Sequence, residues 1–131
     1  MSTRANIKIV DKYSTLWFYR HSDGYPEGTL PTLEKFLQYV KDGKIRGNCS
    51  QGAGWLIIIG AEEYKNYQIP REGARWSDLS SVEAKKWEGK IPTEPRNWKV
   101  GAYEPTSGQH GDIEFLYTID LEKMTITTEE V

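Results

Sequence analysis

The chain has little cysteine, no long apolar run and no surplus of charge of either sign. Cys49 is the single cysteine among 131 residues, which excludes an intrachain disulfide and any multi-cysteine metal site. The longest apolar stretch, Trp55 to Ile59, falls far short of the roughly 20 residues that span a bilayer. Lys and Arg total 17 against 19 Asp and Glu, a formal charge of −2. No basic field is present to hold nucleic acid non-specifically, and the acidity is too slight for a polyanion mimic. Also missing are Gly-x-Gly-x-x-Gly, Gly-x-x-x-x-Gly-Lys-Ser/Thr, Gly-x-Ser-x-Gly and His-Glu-x-x-His, so dinucleotide, P-loop, serine-hydrolase and zincin chemistry have no signature here. The opening Met1-Ser2-Thr3-Arg4-Ala5-Asn6 has no apolar core of a signal peptide. Together these absences lead us to expect a soluble protein of a reducing cytosol, with no cofactor, no metal, no membrane partner and no strong nucleic-acid binding.

What is present reads as one globular domain. The composition is 27% charged and 37% apolar, spread along the chain, enough for one hydrophobic core at this length. Alternation around Ile7 and Ile9 predicts a strand over 3–11, and the β-favouring run with Trp17, Phe18 and Tyr19 a second over 15–21. The polar link 12–14 makes them a hairpin. The block His21-Ser22-Asp23-Gly24-Tyr25-Pro26-Glu27-Gly28 is dense in turn formers and predicts irregular structure. A helix is predicted from Pro31 to Gly43, with Leu33, Phe36, Leu37 and Val40 on its buried face. A second is predicted after Asn48, with Gln51 as a capping-box partner. There Ala53, Leu56, Ile57, Ala61 and Tyr64 share a stripe that Trp55, Ile58 and Ile59 widen nearly all round, which predicts a central helix. Residues 67–97, with Pro70, Gly73, Gly89, Pro92 and Pro95, read as a loop-rich excursion that holds a short helix over 82–87 capped by Ser81. Strands over 98–103, 112–120 and 124–128 complete an α+β fold: an antiparallel sheet of about five strands in the order β-β-α-α-β-β-β, with helices on one face.

The hairpin yields the first functional inference. A turn centred on Lys12-Tyr13 sets Ile7 opposite Phe18 and Ile9 opposite Leu16, facing the helices. The other face then carries Arg4 opposite His21, Asn6 opposite Tyr19, and Lys8 opposite Trp17. In the strand over 112–120, Ile113, Phe115, Tyr117 and Ile119 point inward, while Asp112, Glu114 and Thr118 point out. Aromatic platforms beside cations suit ligands that carry both a ring and a phosphate. Cover by residues 67–97 or by another subunit is the competing use of Trp17 and Tyr19.

Two blocks, Met1-Ser2-Thr3-Arg4-x-x-Ile7 and Tyr19-Arg20-His21-Ser22-Asp23-Gly24-Tyr25-Pro26, resemble a pattern of small bacteriophage and prophage proteins. Those relatives commonly show a Thr-Arg start and a His-x-Asp-Gly-Tyr block, often with Trp where this chain has Ser22. The likeness covers closely only the N-terminal part, through Pro26. It implies a phage context, in which interference with host defence is a natural role, and no particular chemistry.

Both histidines begin a His-x-Asp triplet, His21-Ser22-Asp23 and His110-Gly111-Asp112. Such a pair could act as general acid and base on a phosphodiester without a metal, with Asp fixing a tautomer. The nearest pattern is the paired His-x-Ser/Thr of two-histidine phosphoesterases, from which Asp at the third position departs. The competing reading, that both are loop-edge histidines hydrogen-bonding their turns, is the simpler one. His21, Asp23, His110, Asp112 and Glu114 form a weak mixed set for a divalent ion. Arg4 and Arg20, with the amides of the glycine-containing turn, suit an anion, against ordinary ion pairs to Asp23 or Glu27. Cys49 starts a predicted helix, where a thiolate is favoured, yet has no histidine nearby in sequence and reads as buried and inert.

The expected function is therefore binding rather than catalysis: an anti-defence protein that sequesters a phosphate-bearing ligand, in concrete form a nucleotide immune signal. Arg4, Arg20 and His21 would meet phosphate, Trp17, Tyr19 or Tyr25 would stack on a base, and Asp23 would join them as a ligand-binding residue. A homo-oligomer would help enclose the ligand. The alternatives are a phosphodiesterase using His21 and His110, and an inhibitor that docks on a host protein through Trp17, Tyr19 and residues 67–97.

Overall fold

The computed structural model describes residues 3–63 and 102–131. The predicted excursion over 67–97, with its short helix, lies outside them. The elements in chain order are β1 (Ala5–Val10), β2 (Thr15–Arg20), α1 (Pro26–Lys41), α2 (Cys49–Glu63), β3 (Glu104–Thr106), β4 (Phe115–Asp120) and β5 (Thr125–Glu130). They form an α+β fold whose five-stranded sheet has the order β3-β2-β1-β4-β5.

The hairpin register is the predicted one: Ile7 pairs with Phe18, Ile9 with Leu16, Asn6 with Tyr19 and Lys8 with Trp17. Asp11 explains how the four-residue link over 11–14 closes. Its Oδ1 accepts the amides of Tyr13 and Ser14, each at 2.8 Å, and its Oδ2 accepts the Cys49 amide at 2.8 Å. One carboxylate thus shapes the turn and caps the start of α2. These amides hold its pKa well below the usual carboxylate range, the Cys49 amide most of all.

The sheet is mostly antiparallel, with one exception to the sequence expectation: β1 and β4 run parallel, Ile7 beside Tyr117 and Ile9 beside Ile119. A parallel pair needs a long crossover, and the whole chain between the hairpin and β4 supplies it. Ala5, Ile7 and Ile9 are fully buried, as befits the central strand. With Phe18, Tyr117 and Ile119 they form the inner face, against Leu33, Phe36, Leu37 and Val40 of α1 and Leu56 and Ile59 of α2. Each large apolar side chain buried there contributes about 1.5–3 kcal/mol.

Three other boundaries differ from expectation. Helix α1 starts at Pro26 rather than Pro31, so Pro26, Glu27 and Gly28 are helical. Pro26 itself supplies the N-terminal proline, and Gly28 is needed because a Cβ there would meet the Asp23 carbonyl at 2.7 Å. Among the described residues the third strand is Glu104–Thr106, between the predicted strands over 98–103 and 112–120; Ala102 and Tyr103 are buried outside any strand, and 98–101 lie outside the described residues. Strand β4 begins at Phe115, after an irregular approach from Asp112.

Helix α2 starts as predicted, with the Asn48 side chain accepting the Gln51 amide at 2.9 Å. It is not central, however. Cys49, Gly52, Leu56, Ile59 and Gly60 are its buried residues, while Trp55, Ile57 and Ile58 are exposed. A glycine stripe lets its buried side approach closely: a Cβ at Gly60 would collide with the Tyr103 ring, and one at Gly52 would crowd Phe36.

Candidate functional site

Strand alternation puts Asn6 and Lys8 of β1, Trp17 and Tyr19 of β2, and Glu104 and Thr106 of β3 on the outer face, as the pairings Asn6–Tyr19, Lys8–Trp17, Tyr19–Glu104 and Trp17–Thr106 require. Tyr19 is its centre. The His110 ring stacks on the Tyr19 ring with centroids 4.3 Å apart and planes 10° from parallel. The Tyr19 hydroxyl lies 2.9 Å from His21 Nδ1. The two histidines, far apart in sequence, therefore meet on one tyrosine.

Asn6 explains how His110 is held there. It is fully buried although it lies on the outer face, because the segment after β3 folds over it. Its Oδ1 accepts the His110 amide at 2.7 Å, and its Nδ2 donates to the Phe18 carbonyl at 2.8 Å. Thr106 Oγ1 lies 2.9 Å from His110 Nε2 and fixes the other end of the ring. The sequence shows Asn6 as an outer-face residue but carries no local sign of this pin, because its partner is a backbone amide brought in by the tertiary fold.

Electrostatics at the cluster are mixed. Arg4 lies 3.4 Å from Asp112, with both side chains partly exposed. Such a surface pair stabilises little and can be exchanged for another anion. Arg4 Nε, enclosed by protein, has no hydrogen-bond partner among the described residues. The Tyr19 phenol is pushed above its ordinary pKa by desolvation first and by the Asp112 charge second, against the opposing pull of Arg4. It therefore stays protonated at neutral pH, and its hydroxyl and His21 Nδ1 share one hydrogen bond whose direction follows the His21 tautomer. Beside the cluster, Lys8 Nζ sits 5.3 Å from the centre of the Trp17 ring.

Arg20 is placed elsewhere. It was expected beside Arg4 as an anion receptor, yet alternation turns it to the inner face, where it is 2% exposed. There it pairs with Glu63 at 2.8 Å, donates from Nε to the Ser22 carbonyl and lies over the Tyr103 ring. Thr32 and Tyr103 hydroxyls also donate to Glu63. The expected phosphate-facing amides of the turn are committed too: Gly24 donates to the Thr3 carbonyl, and Gly28 and Thr29 donate to that of Tyr25. The turn is tied to its surroundings by hydrogen bonds. Asp23 takes a left-handed φ of 56°, the Thr29 hydroxyl donates to its carbonyl, and the Tyr117 hydroxyl donates to that of Gly24. Tyr25 and His21 remain exposed at its edge.

Among the described residues, no group of three or more His, Cys, Asp or Glu side chains is arranged to hold a metal ion, so His21, Asp23, His110, Asp112 and Glu114 do not assemble. No helix among them is long and apolar enough to cross a membrane. Cys49 is buried, its thiol shared between the Ile9 and Ser14 carbonyls and its pKa raised, chiefly by desolvation. No family model, no curated protein and no solved structure matches the chain.

Proposed function

We propose that the outer sheet face is a binding site for a phosphate-bearing ligand, in its concrete form a nucleotide immune signal sequestered by a phage anti-defence protein. The observation that carries the reading is the meeting of His21, His110 and the Arg4 guanidinium around Tyr19. Arg4 exchanges Asp112 for a phosphate oxygen, the exposed His21 ring meets it from the rim, Trp17 offers a ring on the same face, and the exposed Tyr25 offers a second. Charge-assisted hydrogen bonds to phosphate supply affinity, and stacking contributes about 1–3 kcal/mol per base. Arg20 belongs to the support of this site and not to its contacts. The phage context rests on the resemblance of the first 26 residues, and enclosure by a second subunit is a compatible elaboration.

The convergence of both histidines also favours a second reading, metal-free phosphodiester cleavage with His21 and His110 as acid and base. One experiment separates the two. The protein is incubated with nucleotides and cyclic oligonucleotides, freed of unbound ligand, denatured by heat, and the released material weighed by mass spectrometry. Recovery of an intact nucleotide, lost in Arg4→Ala, supports sequestration. A chemically altered product whose formation stops in His110→Ala supports cleavage. Failure of every member of the panel to bind overturns both.

A further inference from the structure

A second surface lies on the far side of the helix layer. Helix α2 has an apolar stripe where a solvent-facing helix should be polar: Trp55 and Ile58 are 41% and 55% exposed. With Ile59 and Glu62 they form one wall of a cleft of about 390 Å³, and Lys35, Tyr39, Lys44 and Ile45 form the other. That volume is in the range of small-molecule sites, about 300–1,000 Å³.

The chain is built to put two cations on one ring here. Lys35 precedes Tyr39 by one helical turn, and its Nζ lies 5.9 Å from the ring centre. Gly43, with a left-handed φ of 77°, ends α1 and folds the chain back, so that the amides of Lys44 and Ile45 donate to the Tyr39 carbonyl at 2.9 and 3.2 Å. This reversal brings Lys44 Nζ to 5.6 Å from the same ring. Among the described residues neither lysine forms an ion pair, not even with Glu62 in the same cleft.

We propose that this cleft binds a small aromatic anion, with its ring on Trp55 and Ile58 and its carboxylate or phosphate toward Lys35 and Lys44. An apolar wall facing two uncompensated ammonium groups selects for both halves of such a ligand: a neutral arene forfeits the charge term, and inorganic phosphate forfeits the burial of the ring. Glu62 opposes the anion and limits affinity. The site is independent of the outer sheet face, from which the helices and the sheet separate it.

The probe is 1-naphthoate, titrated calorimetrically against the full chain, with neutral 1-naphthol as control. One equivalent of naphthoate is expected to bind, about tenfold or more tightly than naphthol, and the Lys35→Glu/Lys44→Glu double variant to lose about that factor. Lys35→Arg/Lys44→Arg retains binding, Glu62→Gln strengthens it, and Arg4→Ala leaves it unchanged. Lys35, Lys44 and Glu62 are exposed and Arg4 partly so, and an unchanged thermal midpoint establishes that each variant is folded. Absence of binding, equal binding of naphthol, or indifference to lysine reversal overturns the proposal. Loss of naphthoate binding in Arg4→Ala assigns the ligand to the outer face and overturns it as well.

Discussion

Arg4 and Arg20 stand at adjoining ends of the paired strands β1 and β2, and they face opposite sides of the sheet. Each lies beside a tyrosine and pairs with one carboxylate, yet their surroundings differ. Arg20 is 2% exposed and 2.8 Å from Glu63, whereas the Arg4 side chain is 39% exposed and 3.4 Å from Asp112. Dehydrated on the inner face, Arg20 must keep its partner, because an ion left alone there has no water to replace it. Partly hydrated on the outer face, Arg4 can change partners at small cost. The same residue type is thus a structural tie on one face and a candidate receptor on the other, and burial makes the difference.

The comparison is most severely tested by removing each guanidinium. Arg20→Ala strands the Glu63 carboxylate among Thr32 and Tyr103, and a loss of about 3 kcal/mol or more is expected in urea unfolding. Arg4→Ala is expected to change stability by at most about 1 kcal/mol while abolishing ligand retention. Equal losses of stability would erase the distinction between the two faces.

Next in size is the pin beneath the outer cluster. Asn6→Ala leaves the Phe18 carbonyl and the His110 amide without their partner, at an expected cost of about 1–3 kcal/mol. It also frees His110 from the Tyr19 ring, so the ring-current shift of the His110 proton resonances should collapse in the NMR spectrum. If the stacked shift persists, Thr106 alone holds the ring and the role given to Asn6 fails.

The hairpin and the outer face were legible in the sequence because period-two alternation has one register that sorts Ile7, Ile9 and Phe18 from Asn6, Lys8, Trp17 and Tyr19. The expectation that Arg20 joins Arg4 as an anion receptor conflicts with the same alternation, which assigns Arg20 to the inner face. Its partner Glu63 is supplied by α2, and no local pattern announces that pairing. The start of α1 was obscured because Gly24, Pro26 and Gly28 are turn formers, although proline suits a first helical turn and Gly28 answers a tertiary contact with Asp23. For α2 the apolar content suggested burial all round, while the structure leaves Trp55 and Ile58 as a wall of the second cleft. The convergence of His21 and His110 on Tyr19 was beyond the sequence, since it depends on β3 pairing with β2.

A smaller effect separates the tyrosines of the two faces at high pH. On the inner face burial pushes Tyr117 up to about 12, and Tyr103 is raised further in the same direction, again by burial first. An unfolded phenol loses its proton near about 10, so between these values the unfolded chain holds fewer protons than the folded one. Stability from these groups is full below about pH 10 and is lost as pH rises toward about 12. Alkaline unfolding, with the tyrosinate absorbance of the inner residues appearing only as the fold is lost, is the expected outcome. Reversible ionisation of Tyr103 or Tyr117 within the native state would show that the inner face is wetter than its packing implies.

The finest test lies in Tyr19 itself, since two opposed charges act on a phenol already raised by desolvation. Asp112 pushes its pKa up and Arg4 pulls it down, although these two side chains form an ion pair. Asp112→Asn is therefore expected to lower the Tyr19 pKa and Arg4→Ala to raise it, read from the ring-carbon resonances of Tyr19 in labelled protein while Tyr103 and Tyr117 stay fixed as internal controls. A phosphate that displaces Asp112 from Arg4 would keep a negative charge near the phenol, so saturating ligand should leave Tyr19 raised even in Asp112→Asn. Shifts of the same sign in both variants would mean that Arg4 and Asp112 act on Tyr19 through its packing rather than through charge, and Arg4 would lose its claim to be an anion receptor.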